Sequence, residues 1–176
     1  MRSRILDGMY NLECRIFKSV NQHFRRRTLN LFFRTITHIG GALFTISSTL
    51  LFLIITPDEF HSIAVSCLTS LVFSHLVVII IKKSFPRIRP YLTLKESYVM
   101  ENPIKDYSFP SGHTTAIFSI ITPVMIAFPN YSLIFIIIGL LVGLSRIYLG
   151  LHYPTDVAAG IILGSVSGCL TYFYIV

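Results

Sequence analysis

At 176 residues, 53% hydrophobic and 13% charged, with a mean hydropathy of +0.68, the chain is too apolar for an ordinary water-soluble domain. Its apolar residues fall into blocks of roughly the 20 residues that cross a bilayer, which excludes a single large soluble core as their explanation. The net charge of +7 does not indicate nucleic acid, because the aromatic residues lie inside the apolar blocks and not among the lysines and arginines.

Residues 1–29 are too polar to span a membrane. Ile5, Met9, Leu12, Ile16 and Val20 recur at helical spacing, and Asp7, Asn11, Arg15, Lys18, Gln22 and Arg25 follow the same period on the other side. The spacing predicts an amphipathic helix, either lying in the headgroup plane with Arg25-Arg26-Arg27 toward lipid phosphates or packed on the rest of the protein. No apolar h-region follows the basic N-terminus, so no signal peptide is expected.

The remaining residues, 30–176, form the second predicted unit, with spans at about 30–56, 60–81, 111–129, 132–145 and 154–176. The expected fold is an all-α, polytopic membrane bundle of about five transmembrane helices preceded by the interfacial helix. Pro123 predicts a kink in the third span. Gly139, Gly143, Gly160, Gly164 and Gly168 predict close packing of the last two. Cys14, Cys67 and Cys169 share no metal-ligand spacing and read as inert packing thiols.

All fifteen Lys and Arg fall at one end of such a bundle, which the positive-inside rule makes cytoplasmic. Part of that bias also suits an anion site at the same end.

Three polar clusters terminate spans there. Lys82 and Arg89 bracket KKSFPRIRP, Pro110-Ser111-Gly112-His113 opens the third span, and SRIYLGLHYPTD carries Arg146, His152 and Asp156. Taken singly, they read as interfacial anchors, a helix cap and a structural histidine. Taken together, Lys82, Arg89 and Arg146 offer fixed positive charge that matches phosphate oxygens. Ser111 and Gly112 offer amide groups at a helix start, where an anion is favoured, and Gly112 admits close backbone approach. Four residues separate His152 from Asp156, so the carboxylate can orient the imidazole and leave its other nitrogen as nucleophile or base. His113 is a second imidazole, suited to protonating a leaving oxygen. No metal-ligand set is visible, and no metal or cofactor is expected. The chemistry is phosphoryl transfer with side-chain charge stabilisation.

Lys82-x6-Arg89-Pro90, Pro110-Ser111-Gly112-His113 and Ser145-Arg146-x5-His152-x3-Asp156 resemble the three-part signature of the type 2 phosphatidic acid phosphatase (PAP2) superfamily, with all eleven fixed positions present. The resemblance implies a metal-independent lipid phosphatase, multi-pass in a bacterial plasma membrane, that acts through a phosphohistidine. By carry-over His152 attacks phosphorus, Asp156 orients it and His113 is the general acid, while Lys82, Arg89, Ser111, Gly112 and Arg146 hold the phosphate. Expected substrates are phosphatidic acid, phosphatidylglycerophosphate or undecaprenyl diphosphate, with membrane lipids as the other contact. The alternative is a non-catalytic binder or transporter of a phosphate-bearing lipid. Many family members have a sixth span, which places the site outside, whereas the charge count here places it inside. His38 and His75 are candidates for supporting the site, though structural packing accounts for both. Glu96, Glu101 and Asp106 read as solvated loop charges.

Overall fold

The computed structural model describes residues 2–103 and 105–176, with side chains at the N-terminus from Asp7 onward. The predicted position of Ile5 on an apolar stripe lies outside the described side chains. The described residues are helical and turn, with no strand. Helix α1 spans Arg2–Asn21, α2 Arg27–Thr37, α3 Ala42–Ile55, α4 Asp58–Ser84 and α5 Pro90–Thr93. After the long loop come α6 (Gly112–Ala127), α7 (Ser132–Tyr148) and α8 (Pro154–Ile175).

Among the described residues, three helices are long and apolar enough to cross a bilayer: α4, α7 with the turn before it, and α8. At 27 residues α4 is about 40 Å long, longer than the ~30 Å hydrocarbon layer. Asp58 and Glu59 occupy its first turn and Lys82 and Lys83 its last, each sign complementing the helix dipole. The predicted span at 30–56 is two helices, α2 and α3, bent by 50°. The break is physical: Gly41 is extended (φ −74°, ψ 153°), and a Cβ on Gly40 would sit 2.8 Å from the His113 carbonyl and 2.6 Å from Val142. The glycine pair thus lets the start of α6 press into the bend.

Helix α6 has only 16 residues and is packed between α4, α7 and α8, buried along most of its length. It continues as helix through Pro123. Gly160, Gly164 and Gly168 form one ridge of α8 against it, and alanine at any of them would meet Ser111, Thr115 or Thr122 at 2.5–2.8 Å. Small residues facing small residues let two helices approach closely where burial from lipid supplies no hydrophobic drive.

The bundle buries hydroxyl side chains among its apolar core residues and turns large apolar side chains outward. Thr45, Thr49, Ser66, Ser70 and Ser74 are buried, whereas Leu43, Ile54, Leu133, Leu170 and Phe173 are exposed. Such a surface is expected against lipid and would aggregate in water. At the end away from the long loop, Phe60 and Phe128 are in ring contact at 5.6 Å.

The first helix is present, but its faces divide differently from the sequence pattern. Met9, Leu12 and Ile16 are exposed, while Glu13, Phe17 and Asn21 are buried against the bundle. Helix α1 is thus packed on the rest of the protein by a mixed stripe, with Met9, Leu12 and Ile16 left outward. Phe17 and Tyr10 pack on Tyr153. Asn21 grips the long loop at Tyr98, donating to its carbonyl at 2.9 Å and accepting from its amide at 2.7 Å. Gly150 (φ +79°), in the turn after α7, lets the same loop approach, because a Cβ there would collide with the Tyr98 carbonyl.

Candidate active site

The predicted clusters converge at one end of the bundle. Helix α4 extends three residues beyond its predicted end, so Lys82 lies in its last turn. Helix α7 likewise runs past 145 and carries Arg146 in its last turn. His152 lies in the tight connection to α8, which Pro154 starts at N1. Asp156 closes the first turn of α8, accepting the Tyr153 amide on Oδ2 at 2.9 Å.

Asp156 faces the imidazole with a His152 Nδ1 to Asp156 Oδ2 separation of 3.6 Å. On the other side of the ring, Arg89 Nη1 lies 3.2 Å from His152 Nε2. A guanidinium has no acceptor, so Nε2 must accept and the ring proton resides on Nδ1, toward the carboxylate. Burial pushes the His152 imidazole down to about 4, opposed by Asp156 and reinforced by the Arg146 and Arg89 charges. At neutral pH the ring is therefore uncharged, with its Nε2 lone pair turned toward Arg89.

Arg89 and Arg146 are both buried. Arg146 donates Nη1 to Thr37 Oγ1 of α2 at 2.7 Å, while its Nε and Nη2 are buried without a partner. Burying a cation with unmet donors costs several kcal/mol unless an anion meets them. Arg89 is fully engaged: Nε donates to the Asp106 carbonyl and Nη1 to the Leu151 carbonyl, each at 2.8 Å, and Nη2 donates to Asp106 Oδ1. Lys82 Nζ meets Asp106 Oδ2 at 2.5 Å.

Asp106, expected as a solvated loop charge, is thus the counter-ion shared by Lys82 and Arg89. Burial opposes its ionisation, but hydrogen bonds from Lys82 and Arg89 outweigh that and hold the carboxyl below its usual range. Its role in the site was one that sequence patterning passed over, as it did Thr37 beside Arg146. A lone aspartate in a polar loop carries no local signal of a partner 24 residues earlier.

Ser111 occupies the N-cap position of α6 but does not cap it. Its hydroxyl accepts from Thr114 Oγ1 at 3.0 Å and its amide donates to the Asp156 carbonyl at 3.0 Å. The Ser111 amide, expected to face an anion, is therefore spent on α8. The amides of Gly112 and His113 have no side-chain cap and lie at the positive end of the helix dipole. A Cβ on Gly112 would meet no protein atom within 4 Å, unlike the packed glycines of α8. His113 projects beside the α2–α3 bend, its Nε2 3.7 Å from where a Gly41 Cβ would lie. His38 is exposed in the turn at this bend, and His75 is exposed on the outer surface of α4, away from these groups.

The chain matches the family model described as the PAP2 superfamily over residues 63–176, which covers every cluster from Lys82 to Asp156. It is 31% identical over 157 residues to an undecaprenyl-diphosphatase of Sulfolobus acidocaldarius, spanning 89% of this chain and 74% of that protein. It is also 31% identical over 155 residues to phosphatidylglycerophosphatase B of Bacillus subtilis, spanning 80% and 72%. The crystal structure of Aquifex aeolicus LpxE superposes with a TM-score of 0.81 at 27% identity, covering 91% of this chain and 94% of that one. With that match, that fold and these apolar helices, the chain belongs to the PAP2 superfamily and is a membrane-embedded lipid phosphatase.

Proposed function

We propose that the protein removes phosphate from a phosphomonoester or diphosphate on a bilayer lipid, with His152 as the nucleophile. The observation that carries this reading is the His152 ring itself. Its Nδ1 side faces Asp156 and its Nε2 accepts from Arg89, while Arg146, close enough to act on the ring by charge, keeps two buried nitrogens without a partner.

In the proposed reaction, phosphate oxygens bind Arg146 Nε and Nη2, Lys82, Arg89, the Ser111 hydroxyl and the Gly112 amide, displacing the Asp106 carboxylate. His152 Nε2 attacks phosphorus as the bond from phosphorus to the leaving oxygen breaks. Protonated His113 gives its proton to that oxygen, and the dephosphorylated lipid leaves. The phosphorylated ring carries positive charge, which Asp156 stabilises through Nδ1–H. Water then attacks phosphorus and gives a proton to His113, releasing inorganic phosphate and regenerating neutral His152.

The site stands at the ends of α4, α6, α7 and α8, where a lipid can present its headgroup while its tails stay in hydrocarbon. The substrates named for the two relatives, together with phosphatidic acid, are the candidates. The bacterial relative supports residence in a bacterial plasma membrane. A lipid binder needs the cations but not an imidazole held in one tautomer, so binding alone leaves the His152–Asp156 pair without a role.

The test is phosphate release from phosphatidic acid, phosphatidylglycerophosphate and undecaprenyl diphosphate in detergent with chelator present. Turnover and an acid-labile phosphoenzyme are expected. Wild-type-like turnover by His152→Ala would refute the mechanism.

A further inference from the structure

The chemistry above leaves one buried charge cluster unused. Glu13, on the docked face of α1, is 6% exposed. Both of its carboxylate oxygens are engaged, Oε1 by Arg87 Nη2 and Oε2 by Thr155 Oγ1. Arg87 turns its other terminal nitrogen toward α8, donating Nη1 to Asp156 Oδ1 at 2.6 Å and to Thr155 Oγ1 at 2.7 Å. Its guanidinium lies over the Tyr153 ring, 4.0 Å from the centroid. Asp156 therefore has Oδ1 on Arg87 and Oδ2 on the Tyr153 amide and the His152 side. Glu13 and Arg87 stand behind the carboxylate, away from His152 Nε2.

Resting on the assignment of His152 as nucleophile, we propose that Glu13 and Arg87 are positioning residues. In this arrangement an anion–cation–anion chain running from α1 through the loop after α4 to α8 fixes the Asp156 carboxylate and, through it, the His152 ring.

Two physical arguments support the assignment. The first is geometric: a planar guanidinium held at both ends of its fork defines where Oδ1 sits, which a flexible ammonium does not. The second is electrostatic. Arg87 alone would cancel the charge of Asp156 and leave it little attraction for a cationic ring. With Glu13 on the far side of Arg87, the three groups keep a net charge of −1, available to the imidazole. Helix α1 lies outside the residues matched by the family model, yet through Glu13 it becomes part of the catalytic arrangement.

The charged and titratable groups facing His152 are Arg89 from the loop after α4, Arg146 of α7, His113 of α6 and Asp156 of α8. Only Asp156 favours the protonated ring, so weakening it shifts the titration in one direction. The experiment uses full-length Glu13→Gln protein in detergent, assayed for inorganic phosphate release from a substrate turned over by the wild type. A fall in kcat of at least about tenfold is expected, by analogy with the loss when the outer partner that orients a metal-bound histidine is removed. KM should stay within about twofold, and the acid limb of kcat/KM should move to lower pH. In an Asp156→Asn background, Glu13→Gln should cause no further loss. Wild-type kcat and an unmoved acid limb in folded Glu13→Gln protein would overturn the proposal, as would an undiminished loss in the Asp156→Asn background. Thr155→Val, which removes one donor to Glu13 with all charges kept, serves if Glu13→Gln does not fold. It should lower kcat at constant KM, and unchanged kcat would overturn the proposal. His152→Ala in the same assay tests the nucleophile separately: its inactivity leaves that reading standing whatever the Glu13 result.

Discussion

Gly112→Ala separates what the protein requires of a glycine from what a ligand requires. At Gly112 an alanine methyl would meet no protein atom within 4 Å, and its φ lies outside the positive region that favours glycine. It stands at the first position of α6, where alanine is the better helix former by up to about 1 kcal/mol. Folding is therefore expected to be unchanged or slightly improved. If the Gly112 amide donates to a phosphate oxygen, the methyl blocks close approach and weakens one donor to the developing charge. Loss of one such donor costs about 10²-fold or more in rate, near 2.7 kcal/mol. The control is Gly160→Ala, whose methyl would lie 2.8 Å from the Ser111 carbonyl and 3.0 Å from Thr114 Cβ. Ordinary contacts there require α6 and α8 to part by about half an ångström, which should lower stability and activity together. The assay pairs phosphate release with thermal unfolding in the same detergent. Gly112→Ala with wild-type kcat/KM would refute the claim that phosphate meets the α6 backbone.

Arg146→Lys should reduce kcat/KM by about 10²-fold or more, because the donors of an ammonium radiate from one nitrogen and cannot replace the separate Nη1 that holds Thr37 and the Nε and Nη2 beyond it. Thr37→Val, which removes only the anchor of the fork, should cost less; equal losses would refute the distinction. Asp106→Asn should lower KM several-fold by removing the carboxylate that competes for Lys82 and Arg89, and a raised KM would count against that role. The acid limb of kcat/KM should fall near pH 4, since His152 must be neutral to attack and burial pushes it down to about 4. In the unfolded chain the imidazole returns to about 6.5, so between those values the unfolded state binds the extra proton. Stability should therefore fall as pH drops from 7 to 4, by about 3 kcal/mol for this one buried ring, and His152→Asn should flatten the slope.

Much of the site was legible because its chemistry sits in short, ordered motifs. Ser111 to His113 at a helix start, and His152 four residues before Asp156, encode local geometry that the helical period nearly dictates. Arg146 and Lys82 came within a turn of their predicted placement, since helix ends extend past the last apolar residue when a cation complements the dipole. The two faces of α1 were harder to read. Met9, Leu12 and Ile16 marked the stripe that burial in water would hide, but in the structure the same residues turn outward. The docked side is Glu13, Phe17 and Asn21, whose polar atoms need partners inside the protein.

By itself, then, the sequence determined that the chain crosses a membrane and which polar clusters terminate its spans, because hydropathy and helical spacing act over neighbouring residues. Only the tertiary structure decided the pairings: Asp106 with Lys82 and Arg89, Thr37 with Arg146, Glu13 through Arg87 to Asp156, and the Gly40–Gly41 bend against His113. These partners lie 17 to 109 residues apart. Their matching depends on how the helices pack, and no local period records it.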